Sequence, residues 1–446
     1  MNRPQIMKSS IVALAAASLA LGGCSIFEGR KGPTTPTVGS RVPILSNRSA
    51  LEVDAATAAQ AMILPNATQN ADWAQSGGSA TKSGGHLALG EQLGRAWVAS
   101  IPGGTQRAQL AAAPVVANGT VYAVDTAGRV HAFDAATGAQ RWEVEISPNA
   151  GRNASARFGG GASVDGETVY AVSGLGDVVA LDAATGGKRW SKRPGGPLRG
   201  APTAAFGSVY VITQDNQLIA LSQADGTTQW QVAGSVTPGT VFGAASPAAG
   251  QGTVVAGYSS GELNAYRYEN GRPLWADALA LTAIAVSVST LSDVDADPAI
   301  DNGRVFAIGQ GGRMASYELV TGQRIWELSI GGISTPWVAG DWVFAVTGDA
   351  KLYAIARATG RVRWIAELPR WRDAEDRKGS IRWTGPVLAG NRLILVSTDG
   401  RMAQVDPASG TINSMTPIGG GARLSPVVAN GTLYILDEAG RLSAWR

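Results

Sequence analysis

Cysteine and histidine are nearly absent from this chain of 446 residues: one Cys and two His. A lone thiol excludes an intrachain disulfide and a cysteine-based zinc centre. His86 and His131 are the only candidates for a histidine general base, which removes most metalloenzymes. Charge is also scarce, at 16 % of residues, with a formal net of +3. Two of the cations, Arg3 and Lys8, precede Cys24, and without them Lys+Arg is 35 against 34 Asp+Glu. That balance gives no basis for nucleic-acid binding. Long apolar runs are missing too: beyond Leu21 none approaches the eighteen residues of a membrane-spanning helix. Glycine and tryptophan are abundant, at 58 and 13 residues. Glycine is about twice its usual share, a sign of many tight turns. A hydrophobic content of 45 % excludes a disordered chain. The length allows two or three domains or one large β architecture.

The first residues read as an address. Arg3 and Lys8 lead into Ile11–Leu21, an apolar run too short to span a bilayer and suited to a signal peptide. Leu21-Gly22-Gly23-Cys24 follows and resembles a bacterial lipobox, in which Cys24 is lipidated and becomes the mature N-terminus. Ser25 stands where an Asp would imply inner-membrane retention, so the resemblance implies the outer membrane. Several acyl chains on one residue give stable anchoring. The expected organisation is a signal peptide over 1–23, a lipid-anchored and largely irregular tether over 24–93, and one domain over 94–446. As a free coil, that tether would reach roughly 45–50 Å. Within it, Ala50–Leu64 can hold a short helix, and Asp72-Trp73 is placed to dock on the domain that follows.

From residue 111 the sequence repeats, and a repeat of this length decides the fold. Pro114-Val115-Val116 is followed by Gly119, Val121–Val124, Gly128, Asp134, Thr137-Gly138 and Trp142. The Pro-to-Trp offset of 28 recurs from Pro202 to Trp230, Pro247 to Trp275, Pro298 to Trp326 and Pro336 to Trp364. Ala162 replaces the Pro ahead of Trp190. Pro386 opens a copy with Ser414 at the Trp position, and Pro426 opens an eighth that ends at Arg446. A Gly lies four residues before each Trp position, and another Gly, Asn or Ala fourteen residues after each start. These are turn positions, where φ > 0 costs Gly little. The Val-, Ile- and Tyr-rich runs between them read as strands. Each copy is thus four short antiparallel strands, one propeller blade. Arg95–Ser100 supplies the fourth strand that the last copy lacks. The fold class expected is all-β, an eight-bladed β-propeller closed by an N-terminal strand. The repeat Trp residues pack between blades, and Asp134 and Asp182 serve turns.

The repeat resembles the pyrroloquinoline-quinone-type propeller motif. Two groups share it: quinoprotein dehydrogenases, and the BamB family of lipoproteins in the outer-membrane β-barrel assembly machinery. The BamB resemblance spans lipobox, tether and blades. It includes Leu291-Ser292-Asp293-Val294-Asp295, in the connection before blade five, and Leu198-Arg199, before blade three. In that family these segments bind the periplasmic POTRA domains of the barrel-inserting subunit. The resemblance therefore implies Leu198, Arg199, Asp293 and Asp295 as partner-binding residues, although Gly196 replaces an apolar residue found in some members. Asp293 and Asp295 are spaced i, i+2, so an extended chain points both carboxylates one way. Asp293, Asp295 and Asp297 also match the first positions of a calcium loop. Pro298 and Arg304 occupy its Gly and Glu positions, which excludes that loop.

Arg370, Trp371, Arg372, Arg382 and Trp383 lengthen the connection before blade seven. They read equally as a partner site or as a solvated loop with cation–π pairs. The function implied is a non-enzymatic scaffold, without cofactor or metal. Its partners would be the barrel-inserting subunit, nascent outer-membrane proteins and, through Cys24, the outer membrane. A propeller that reads envelope carbohydrate or peptide is the second reading. A quinoprotein dehydrogenase comes last, because the chain has no vicinal Cys pair and no long insertions.

Overall fold

The computed structural model describes residues 51–446, except 106, 149–150, 152–155, 199, 236–244 and 280–292. Eight four-stranded antiparallel sheets follow one another. Blade one consists of Val115–Ala117, Thr120–Val124, Arg129–Asp134 and Gln140–Glu145, each strand paired to the next. Blade eight takes Val427–Ala429, Thr432–Leu436 and Arg441–Trp445 from the C-terminus, and Arg95–Ser100 from the N-terminal side. The first strands of neighbouring blades approach one another around the axis. The expected eight-bladed, strand-closed propeller is the observed fold.

The repeat residues account for how blades stack. Each repeat Trp lies over the Gly of the next blade's last turn. A Cβ added at Gly226 would meet the Trp190 ring at 2.7 Å, and one at Gly322 would meet Trp275 at 2.3 Å. The indole N–H then donates to a main-chain carbonyl of the same blade: Trp190 to Gln223 O at 2.9 Å, Trp275 to Leu319 O at 2.8 Å. Within its own sheet the Trp pairs with a small residue, as Ala132 faces Trp142 and Ala220 faces Trp230. An aromatic on the second strand packs beside it, such as Tyr210 with Trp230 at 5.7 Å. The glycine also has φ near +70°, at Gly226 and Gly322 alike. The position therefore needs glycine for both its torsion and its lack of a Cβ. Asp134 Oδ1 accepts from Thr137 N at 2.9 Å and closes the same turn, as expected of that Asp class.

Trp97 closes the ring in the same way, resting on Gly138 and donating to Ala135 O. The exception is blade seven, with Ser414 at the Trp position and Gln404 opposite it. Blade eight has no last turn to receive a Trp. Its third and fourth strands are the two ends of the propeller chain, joined by Gly94 N–H to Arg446 O and Arg446 N–H to Gly94 O. The departure from the repeat follows from the site of closure.

Residues 51–93 have little secondary structure, but they are not a free coil. A helix at Ala55–Ala59 is capped by Asp54, whose own N–H reaches Val362 O in blade six. Residues 68–88 then cross the propeller's axial channel and hydrogen-bond to the first-strand region of every blade in turn. Asn70 O meets blade eight at Asn430 N, Trp73 pairs with Val116 in blade one, and Ala74 O meets Val164 N in blade two. The Gln75 amide makes both bonds to Ala204 in blade three. Ala80 O and Thr81 O take Ala249 N and Ile300 N in blades four and five. Gly85 O takes the Trp337 indole in blade six, and Leu87 bonds Leu388 and Gly390 in blade seven. Trp73 stacks on Trp337 at 5.9 Å, as its predicted docking requires.

Lys82 is fully buried in this plug, and its Nζ donates to Thr203 Oγ1 at 3.1 Å. Burial lowers its pKa to about 8, and the charge of buried Asp297 opposes that shift. Asp297 accepts from Ser76 Oγ and Ser246 N, yet burial pushes its carboxyl up. Both charges depend on each other inside the channel. Lys82→Met is expected to cost about 3 kcal/mol, with part recovered by adding Asp297→Asn, because removing one partner strands a buried charge. Urea unfolding midpoints check this. Gly322→Ala is expected to destabilise by about 1–3 kcal/mol more than Gly207→Ala. Both have positive φ, but the Gly207 Cβ would enter open space.

Candidate partner-binding surface

The propeller has two ends of different construction. One carries the first and last turns of each blade, such as Asn118-Gly119 and Thr137-Gly138. The other carries the middle turns and the blade-to-blade connections. Leu198, Asp293, Asp295 and the 370–383 segment all belong to the second end. Leu198 pairs with Thr213 in the middle turn of blade three. That turn reaches blade four, where Asn216 Oδ1 accepts from Ser259 N and Oγ. Blade four's own turn then holds Val294, whose N–H donates to Tyr258 O at 3.1 Å. The two predicted segments thus share a rim, one blade turn apart.

Their side chains are less exposed than a docking patch suggests. Leu198 is 4 % exposed and packs under blade three, so it is not a free apolar anchor in the isolated chain. Asp293 is 1 % exposed, and its carbonyl accepts from Gln310 N. Asp295 is half-buried, with Oδ2 accepting from Gln310 Nε2 at 2.9 Å. Val294 between them packs into the seam of blades four and five. Of the two acids, Asp295 is the less buried, although its Oδ1 is closed off from solvent. Arg199 and Cys24 lie outside the described residues.

The 370–383 segment divides in two. Trp383 is 4 % exposed and donates to Pro369 O at 2.8 Å, so it belongs to the core and not to a partner loop. Trp371–Asp373 and Lys378–Ser380 form a separate two-stranded hairpin that projects from the rim. Arg370, Arg372 and Arg382 are exposed on or beside it, and Trp371 is half-buried. The Arg370 guanidinium sits over the Trp371 ring at 5.1 Å.

The channel plug is the feature the sequence reading missed beyond Trp73. The ring centre that the repeat resemblance would offer to a quinone is filled by the chain's own Trp73, Gln75, Lys82 and Leu87. These residues do not fit that group. His86 is also part of the plug: Nδ1 donates to Pro65 O and Nε2 accepts from Asn391 N, which occupies both ring nitrogens. His131 lies buried between Asp125 and Glu143, at 2.8 and 3.4 Å. Among the described residues no three His, Cys, Asp or Glu side chains gather to hold a metal. No described helix is long and apolar enough to cross a membrane.

Comparison with known proteins follows this geometry. A family model described as the outer membrane protein assembly factor BamB matches residues 39–158 and 126–366. BamB of Escherichia coli K12 is 28 % identical over 386 residues, covering 77 % of this chain and 86 % of that protein. BamB of Vibrio cholerae is 30 % identical over 347 residues, covering 78 % and 86 %. The crystal structure of BamB from Moraxella catarrhalis superposes with a TM-score of 0.66 at 21 % identity, over 80 % of this chain and all of that one. A quinohemoprotein alcohol dehydrogenase from Comamonas testosteroni superposes almost as well, at 0.65 and 15 % identity, over 85 % of this chain and 81 % of that one. The propeller fold is thus shared with enzymes. The family model and the sequence relatives show that this chain belongs to the BamB family of outer membrane protein assembly factors.

Proposed function

We propose that this protein is a non-catalytic scaffold of the outer-membrane β-barrel assembly machinery. Cys24 anchors it to the periplasmic face of the outer membrane, and the rim of middle turns and connections binds the POTRA domains of the barrel-inserting subunit. Holding that arm would help nascent outer-membrane proteins to fold and insert. The observation that carries the reading is the filled channel: a propeller whose axis is occupied by its own chain has its rims left for recognition. Family membership supplies the partner's identity, and the shared rim of the Leu198 and Asp295 segments supports the surface.

The burial pattern divides the labour. Asp295 brings the less buried of the two carboxylates to this rim, and Leu198 and Asp293 hold the two connections in place. Arg199 adds a cation beside Leu198 in sequence. A rim charge acts mainly on association rate and specificity.

The test uses the chain from Ser25 onward, because residues 51–93 are part of the fold. It is titrated with the periplasmic domains of the barrel-inserting subunit from the same source. Asp295→Lys is expected to weaken saturable binding about tenfold, which is about 1.4 kcal/mol, with an unchanged circular dichroism spectrum. No binding by the unaltered chain would overturn the reading and favour a propeller that takes envelope carbohydrate or peptide. In cells given radiolabelled palmitate, the unaltered chain is expected to carry the label and the Cys24→Ser variant to carry none. Label on the Cys24→Ser variant would refute the lipid anchor at Cys24.

A further inference from the structure

The hairpin before blade seven carries Arg370, Arg372, Arg377, Lys378 and Arg382 against Asp373, Glu375 and Asp376. Lys378 is paired with Asp376 at 2.6 Å, and Arg372 donates to Thr398 O. Among the described residues no carboxylate pairs with Arg370, Arg377 or Arg382. Other arginines of this rim have their own acid: Arg193 with Asp177, Arg401 with Asp399 and Arg441 with Asp437. Arg382 faces a second cation instead. Arg423, in the next connection, has its pKa lowered first by burial and then by the charge of Arg382. Among the described residues, Glu438 is the acid bonded to Arg423.

Two hollows flank these cations. One, of about 570 Å³, is lined by Pro369, Trp371, Arg372, Thr398, Gly421 and the Asp399–Arg401 ion pair. The other, of about 310 Å³, is lined by Leu110, Leu424 and Leu436 together with Arg423, Asp437 and Glu438, and its two acids are already paired, with Arg441 and Arg423. Gly421 lines the first and Arg423 the second, so the hollows adjoin across one short connection.

We propose that this groove binds an extended polypeptide segment of mixed acidic and apolar side chains. Its carboxylates would sit on Arg382, Arg370 and Arg372, and its apolar side chains on Trp371 and in the leucine hollow. The charge arrangement selects this occupant. Exposed cations without acids, one of them against a like charge, are completed by an incoming carboxylate. Trp and Arg together are common interface anchors. A membrane surface fits less well. Asp373, Glu375 and Asp376 at the hairpin would meet anionic headgroups, and a concave hollow accepts single side chains better than a lipid plane. The site is independent of the partner held at the Leu198–Asp295 sector.

The test measures fluorescence anisotropy of a fluorescein-labelled peptide of alternating leucine and glutamate. The protein is the chain from Ser25 onward. A peptide of alternating leucine and lysine and phosphatidylglycerol vesicles are separate arms. Arg370→Glu/Arg382→Glu is compared with Arg267→Glu/Arg272→Glu, which changes net charge equally on exposed arginines at the other rim. The expected result is saturable binding of the glutamate peptide by the unaltered chain and by the 267/272 variant. The 370/382 variant should bind at least about tenfold more weakly. No binding by the unaltered chain, equal loss in both variants, equal binding of the lysine peptide, or preference for vesicles would each overturn the proposal.

Discussion

The contact between one blade's tryptophan and the next blade's glycine is the constraint on which the remaining architecture rests. The ring lies where a Cβ would be, so the glycine cannot be replaced without moving the ring. The indole N–H satisfies a carbonyl at the same turn, and a small residue opposite the Trp leaves it room. One contact therefore links four positions of the repeat. It also explains where the repeat fails: a blade made from both chain ends has no last turn, and the blade before it has Ser414 and Gln404 in place of Trp and Ala.

Closure comes from two sources. The strand Arg95–Ser100 completes blade eight and removes its exposed edge. Residues 68–88 act from inside, where one short stretch makes main-chain or side-chain bonds to all eight blades. A ring of eight similar units has many ways to open at a seam, and a strap across every seam opposes each of them. The same strap gives this propeller a different interior from one that holds a cofactor on its axis. Shared topology with quinohemoprotein dehydrogenases therefore says little about chemistry.

The proposed function is consequently placed at the rims. The middle-turn rim carries an acidic sector at Asp295 and a basic sector at the 370–382 hairpin, on different blades. Opposite charges on one face of a rigid ring allow two segments of a partner, or two partners, to be held in a set orientation. Rigidity matters here because the connections bearing these residues are bonded to neighbouring turns, as Val294 is to Tyr258 and Arg382 N is to Thr398 Oγ1.

Strand alternation, glycine turns and the 28-residue Pro-to-Trp offset are local signals, and they determined the blade, its number and its closure without any long-range information. Residues 51–93 lacked any period for a physical reason: their hydrogen bonds go one by one to strands tens to hundreds of residues away, so no local pattern was needed to place them. Asp72 and Trp73 were the part of the plug visible beforehand. Exposure at the rim was also beyond the sequence. Leu198, Asp293 and Trp383 looked like surface residues in irregular segments, and neighbouring blades buried them. Only the tertiary structure decided which charges stayed accessible, because burial there is set by turns from other blades and not by the segment's own residues.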